Sequence, residues 1–225
     1  MIKINSKIAE LIGMHVGDGT LYMTNRCLVW ELRGALNEKD YYDNNVVPLL
    51  SSIFHGEYTA KFRSGGKNGC YGVQISKSNI TSFFLKYGFK SGTKTYTVRI
   101  PEYIKKSSKK VKLAFLRGLF DTDGCLRFDK NRTRRNYYPK IEFEFASVML
   151  IDDLSRLLDE LDFRNYHWKC KNSAKLCIAG KIMLEKWIKE VQPKNSKHLN
   201  KYEKFLEKGY ILSPAEVAQP GTALT

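Results

Sequence analysis

The sequence has no Cys-x-x-Cys pair and no Cys/His cluster at zinc-ligand spacing. Its five cysteines, Cys27, Cys70, Cys125, Cys170 and Cys177, are odd in number and scattered, which excludes the disulfide framework of a small secreted domain. Reduced, mostly buried thiols in an intracellular protein are expected. There is no Gly-x-x-x-x-Gly-Lys-Ser/Thr phosphate loop, so an NTPase is disfavoured. No apolar run approaches the roughly 20 residues that span a bilayer, and the first stretch, MIKINSKIAELIG, has no extended apolar segment of signal-peptide type. A soluble, cytoplasmic protein is expected, nuclear or organellar in a eukaryote.

Acidic residues are not scarce, but they are outnumbered. Against 23 Asp and Glu stand 38 Lys and Arg, a formal net charge of +15 over 225 residues. Such a field attracts polyanions, nucleic acid above all. A hydrophobic share of 43% is that of a globular chain with one large core or two small ones.

The chain repeats itself. LIGMHVGDGTLYM (11–23) and LRGLFDTDGCLRF (116–128) align at Leu11/Leu116, Gly13/Gly118, Asp18/Asp123, Gly19/Gly124 and Leu21/Leu126. Every pair is 105 residues apart, so the architecture is two similar halves. Periodicity predicts a helix over 6–17, with Ser6 as N-cap and Gly19 ending it in a left-handed conformation. Strands follow over 20–24 and 28–32, where Leu28, Trp30 and Leu32 alternate with Val29, Glu31 and Arg33. A helix over 40–54 is kinked or delayed by Pro48; YTAKFR and CYGVQIS form a second strand pair, and 80–87 a helix. Residues 93–110, polar, basic and broken by Pro101, read as a linker. The order then restarts: helix 111–122, strands at 125–128 and KIEFEFA, helix 149–161, strands NYHWKCK and KLCIAG, helix 182–191. The fold class is therefore α+β, with two pseudo-symmetric αββαββα halves spanning 1–92 and 111–210. A further helix covers 201–208, and the tail 211–225 has no periodicity.

Small residues recur one helical turn apart, Gly13 and Gly17 in one copy, Gly118 and Thr122 in the other, so the two helices can pack face to face more closely than usual. If they pair in parallel, Asp18 and Asp123 meet where both helix dipoles are negative. Two carboxylates there repel unless a cation joins them, and a divalent metal with oxygen ligands is the natural solution. One Asp–Gly would merely turn helix into strand. Two at one offset, in so basic a chain, point to a shared site. Asp121 lies about 200° round the helix from Asp123 and reads as a secondary or solvated acid.

These two stretches resemble the signature helices of the LAGLIDADG homing endonucleases in their single-chain, two-motif form, and the resemblance runs from Lys7 to about Tyr202. It implies two saddle-shaped antiparallel sheets lying on DNA and joined at the signature helices. It also implies a monomer that breaks both strands of a long, specific duplex using magnesium and metal-activated water, often intron-encoded. Manganese would substitute for magnesium, and calcium would support binding without cleavage. Asp18 and Asp123 become metal ligands, with Gly17 and Thr122 able to add backbone carbonyls. Lys94 and Lys197 are the candidates beside the scissile phosphates, with Lys194 a rival to Lys197. Host intron RNA is a possible second partner, because an intron maturase is the rival reading on this fold. The other rival is a DNA-binding regulator with a silent metal site. A complete intein is not expected, since the signature helix starts within the first dozen residues.

The polar faces of the strands are the expected reading surface. In the first half this means Tyr22, Thr24, Arg26, Glu31, Arg33, Thr59, Lys61, Arg63 and Gln74. The second half offers Arg127, Asp129, Lys140, Glu142, Glu144, His167, Lys169, Lys171 and Lys175. The halves differ at nearly every such position, which predicts a non-palindromic target. KKSSKK (105–110) and KNRTRR (130–135) are expected to grip backbone phosphates.

Overall fold

The computed structural model describes residues 4–64, 69–130 and 136–209. The tail from 211 and most of the KNRTRR block lie outside the described residues. The first half runs α1 (Ser6–Val16), β1 (Gly19–Met23), β2 (Leu28–Gly34), a helical stretch, β3 (Lys61–Arg63), β4 (Cys70–Ile75) and α4 (Ser78–Lys86). The helical stretch is a 3-10 turn Leu36–Glu38, α2 (Lys39–Tyr41), a π-helical turn Tyr42–Val46 and α3 (Val47–Phe54). After the short α5 (Glu102–Lys105) come α6 (Lys109–Asp123), β5 (Cys125–Lys130), β6 (Asn136–Phe145) and α7 (Val148–Glu160). β7 (Tyr166–Lys169), β8 (Ala174–Ala179), α8 (Lys181–Glu190) and α9 (Ser196–Lys208) complete the second half.

The halves build identical topologies from these elements: antiparallel sheets ordered β1-β2-β4-β3 and β5-β6-β8-β7. Alternation explains the buried side of each. Trp30 and Leu32 of β2 and Ile141 and Phe143 of β6 are essentially inaccessible to water. Helix α1 serves both cores. Leu11 and Met14 pack with Trp30 and Leu32 of its own sheet, whereas Ala9, Ile12 and Val16 pack with Phe115, Leu119 and Phe120 across the interface.

Local details differ from the sequence-based expectations for identifiable reasons. Asn5, not Ser6, caps α1, its Oδ1 accepting from the Ile8 amide at 3.0 Å. Pro48 brings no break. Just before it the ladder widens, and the Val47 amide bonds the Tyr42 carbonyl, which accommodates a residue that has no N–H to give. Gly19 and Gly124 do not adopt left-handed backbone. They are small because the chain doubles back on the helix it has just left. A Cβ on Gly19 would lie 2.5 Å from His15 Cα, and one on Gly124 2.6 Å from the Phe120 carbonyl oxygen. Nor are the thiols mostly buried, because Cys27 sits in the β1–β2 hairpin, Cys125 opens onto a sheet face, and only Cys177 is fully enclosed.

The segment between the halves is docked rather than loose. Ile100 and Ile104 are buried in the second core. Arg99 grips the buried Asp153 of α7 through two bonds of 3.0 Å and 2.9 Å, and Lys105 adds a third contact at 3.0 Å. Burial alone would raise the Asp153 carboxyl, but these bonds outweigh it and hold the group below its ordinary range. Lys109 is likewise paired with Glu190. Helix α6 is about 20 Å long, so KKSSKK stands at the end remote from Asp123.

Candidate nuclease site and nucleic-acid interface

The site begins with helix packing. A Cβ on Gly13 would lie 2.1 Å from the Phe115 carbonyl oxygen, and one on Gly118 2.0 Å from that of Glu10. Backbone therefore meets backbone at both positions. One turn further on, a Cβ on Gly17 would be 2.3 Å from Thr122 Oγ1. Thr122 takes part without widening the gap because its hydroxyl folds back onto the Gly118 and Leu119 carbonyls at 3.0 Å and 3.1 Å. The small residues at 13, 17, 118 and 122 thus stand where α1 and α6 touch.

This packing brings the ends of α1 and α6 together, and with them Asp18 and Asp123. Asp123 Oδ2 lies 3.2 Å from where a Cβ on Gly17, the residue before Asp18, would stand, and both carboxyls face the same cavity. Asp18 is pushed up to about 7, first by burial and then by the Asp123 charge, against the pull of Lys197 and Lys94. Asp123 is also raised by desolvation, although it keeps surface open to the adjoining cavity and both lysines oppose the shift. Two acids so close do not both ionise unaided. Among the described residues no group of three or more His, Cys, Asp or Glu side chains could hold a metal ion. The donors present are two carboxylates and the neighbouring Gly17 and Thr122 carbonyls. That all-oxygen set fits a hard divalent cation such as magnesium, manganese or calcium.

A lysine closes each helix end. Lys94 Nζ donates to the His15, Val16 and Gly17 carbonyls at 2.7 Å, 2.6 Å and 2.5 Å, satisfying acceptors that the end of α1 leaves open. Burial lowers its ammonium to about 8, against the pull of Asp123 and Asp18. Lys197 Nζ donates to the Thr122 carbonyl at 2.7 Å and pairs with Glu38 at 2.9 Å. Lys194, the rival, is committed elsewhere: its ammonium holds the buried Glu10 at 2.7 Å, beside Arg117 at 3.0 Å. Asp18, Asp123 and Lys94 line one cavity of about 640 Å³ together with Gly17, Tyr22 and Glu144.

Two buried residues in this region, Glu38 and Asn195, escape the sequence reading, and a third, Asp121, sits otherwise than expected. Glu38, at the end of the 3-10 turn of the first half, reaches across to the second. Its Oε1 accepts from Asn195 Nδ2 at 2.7 Å as well as from Lys197, and its Oε2 from the Ala35 amide at 2.8 Å. Asn195 also caps α9, its Oδ1 accepting from the Lys197 amide at 3.0 Å. Asp121 is not a solvated acid. It is wholly enclosed and accepts from the backbone amides of Lys194 and Asn195, and burial pushes it up to about 7. No local pattern announces the contact between Glu38 and Asn195, which are 157 residues apart, although Asn195 before Ser196 is an ordinary helix cap.

The strand registers sort the predicted reading residues. In the first sheet Glu31 pairs with Gln74, and Arg33 stands opposite Gly72, which in turn faces Lys61. Tyr22, Glu31, Arg33, Lys61, Arg63 and Gln74 share the face opposite the core. Within it Glu31 is mostly covered, ion-paired with Arg33 and 4.0 Å from Arg63, so it organises the arginines from below. Thr24 and Arg26 are not on this face, because β1 ends at Met23 and Thr24 spends its hydroxyl on the hairpin turn. Thr59 precedes the short β3.

In the second sheet Arg127, Asp129, Lys140, Glu142, Glu144 and Lys175 share the outer face in a mesh of ion pairs. His167 and Lys169 do not join them. They pair with Leu176 and Ala174, which face the core, so both point to the helix side, where His167 meets Asp152 at 3.6 Å. Lys171 lies in the turn after β7. The outward positions of β7 are Tyr166 and Trp168, opposite Cys177 and Lys175.

Residues 110–192 match the model of the LAGLIDADG-like domain. An uncharacterised protein of Methanocaldococcus jannaschii, MJ1054, is 27% identical over 184 residues, 79% of this chain. The chain spans only 19% of that relative's length. A structure of I-DmoI in complex with DNA and Mn superposes with a TM-score of 0.58 at 16% identity, covering 84% of this chain and 98% of that one. A mutant of I-SmaMI gives a TM-score of 0.60 at 13% identity, covering 92% and 90%. Other I-DmoI structures contain DNA with Mg or Ca. At such identities the superpositions establish a shared fold.

Proposed function

We propose that this chain, which has the two-domain LAGLIDADG fold and carries a LAGLIDADG-like domain in its second half, is a site-specific DNA endonuclease of the homing type. It binds a long duplex as a monomer and hydrolyses one phosphodiester in each strand. The observation that carries this reading is the meeting of Asp18 and Asp123 at the ends of two helices in backbone contact, with Lys94 and Lys197 closing those ends. Asp18 and Asp123, with the Gly17 and Thr122 carbonyls in reach, would hold the divalent cation. Bound there, it would neutralise the paired carboxylates and supply Lewis-acid activation of phosphate and water near neutral pH.

The remaining work falls to the chain itself. In each strand one P–O bond to the attacking oxygen forms as one P–O bond to a sugar oxygen breaks. The positive charges of Lys94 and Lys197, held at the two helix ends by backbone carbonyls, stand beside the carboxylates and offset the phosphate charge that grows in this displacement. Backbone contact at Gly13 and Gly118 fixes the separation of the carboxylates, and hence which phosphate pair is served. The two sheets set register along the groove. The first presents Arg33, Lys61 and Arg63, a surplus of cations, whereas the second mixes Arg127, Lys140 and Lys175 with Asp129, Glu142 and Glu144. Faces so unlike each other read unlike half-sites, so the target is non-palindromic.

Selection of cleaved duplexes from a random library in magnesium tests the reading. One long asymmetric site is the expected result, with Asp18→Asn and Asp123→Asn each abolishing cleavage while binding the site within a few fold of the parent. Recovery of no cleaved duplex, or wild-type cutting by either variant, would overturn it.

A further inference from the structure

The outer face of the second sheet is largely charged, although Tyr138 of β6 is also exposed on it, and its edge strand carries no charge there. There Tyr166 and Trp168, 48% and 39% exposed, stack with ring centroids 5.6 Å apart and planes 19° from parallel. In the register of β7 with β8, Tyr166 stands directly opposite Cys177 and Trp168 opposite Lys175. Neither ring belongs to the buried core. The pair is therefore an apolar plate, held open to solvent at the outer margin of the face that carries Arg127, Lys140 and Glu144.

We infer that Tyr166 and Trp168 determine specificity by reading thymine methyl groups in the outer part of the second half-site. The inference rests on the DNA-endonuclease reading above. In an intact duplex the bases are stacked on one another, so a sheet lying in the major groove meets only their edges. The apolar group exposed there is the C5 methyl of thymine. The neighbouring face has ion-paired side chains for polar edges, and this plate has none to offer. Strand order fixes where the reading occurs. β7 lies three strand spacings, about 14 Å, from β5, which starts beside Asp123. That distance corresponds to about four base pairs further from the cut than the positions under β5. The corresponding strand of the first sheet, β3, turns Lys61 and Arg63 outward instead, so the two outer segments are read by different chemistry.

The test uses the full chain in calcium and the duplex recovered by selection. Thymines in the outer part of the second half-site are replaced one at a time by deoxyuridine, which lacks only the methyl. Wild type should lose about fourfold in affinity for each methyl that it covers. The variant carrying Tyr166→Ala and Trp168→Ala should bind the methylated and unmethylated duplexes alike. Tyr166→Phe with Trp168→Phe should retain the discrimination, and the melting temperature of each variant shows that it is folded. Wild-type indifference to deoxyuridine, equal sensitivity in the alanine variant, or a selected site without thymine there would overturn this inference and leave the endonuclease reading standing. Failure of wild type to bind any duplex would overturn both.

Discussion

Gly118→Ala adds one methyl group to the molecule, and the structure sets its effect. The added Cβ would lie 2.0 Å from the Glu10 carbonyl oxygen and 2.9 Å from the Met14 amide nitrogen. Neither is a flexible tip; both are backbone of α1. To restore contact near 3.2 Å the helices must part by about 1 Å, which forfeits a quarter to a half of the dispersion attraction of the atoms moved. Overpacking of this kind costs about 1–3 kcal/mol. Alanine returns up to about 1 kcal/mol of helix propensity. The net loss is about 1–2 kcal/mol, or some 2–8 °C in melting temperature for a chain of this size. Cleavage should suffer more. Asp18 and Asp123 ride on these two helices, and a displacement of about 1 Å can cost about a hundredfold in rate.

Gly13→Ala presses on the Phe115 carbonyl from the other side, 2.1 Å away, and opens the same gap. Once the helices have parted for one methyl group, the second meets less resistance. The double variant should therefore lose less stability than the sum of the singles. Thermal melts of the three variants, with magnesium-dependent cleavage of the selected duplex, decide the matter. A Gly118→Ala protein as stable as the parent or more so, as an alanine in an open helix would be, would refute the close packing. Simply additive losses would show two independent clashes instead of one shared separation.

Glu38→Gln should weaken the support of Lys197 while leaving Lys94, on its own carbonyls, undisturbed. The expected signature is a changed ratio of the two strand-cleavage rates, read from singly nicked product, and an unchanged ratio would remove Glu38 from the positioning of Lys197. Asp121→Asn should cost about 1–3 kcal/mol in chemical unfolding, because with the amide oxygen at the Oδ1 place, accepting from Lys194 and Asn195, the NH2 would replace Oδ2 and set a donor against the Lys194 amide 3.0 Å away; a loss below a few tenths would contradict that assignment. Asp153 contributes stability that is complete above the ordinary carboxylate range and is lost as pH falls through its depressed folded value. The advantage of wild type over Asp153→Asn should hence shrink as the pH falls below about 4, and a gap that does not change with pH would show that Arg99 and Lys105 do not depend on its charge.

The repeat at offset 105 made the halves, the helix pair and the carboxylate pair legible, because each depends on local spacing. β7 was misread because burial alternation is its only local cue, and an edge strand open on both faces supplies none. Its side chains are all exposed, and the register comes from β8, where Leu176 and Ile178 are core while Lys175 and Cys177 look outward. The pairing across to Trp168 and His167 follows from β8, and polarity alone pointed the wrong way. Asp121 is more instructive, since the information was present. Its angular distance from Asp123 was read correctly, but facing away from the site was equated with facing water. Helix α6 has structure on both sides: α1 against one, the second core and the residue 194–195 segment against the other. The repeat itself indicates this, for the counterpart of Asp121 is Val16, which is 1% exposed. An acid where the other copy has buried valine occupies a core position, and there it must find hydrogen-bond donors. The donors are the amides that carry the chain into Asn195 and the cap of α9. Lys197 is set in its place by that same cap, so the departure from symmetry at Asp121 is part of what builds the second lysine position.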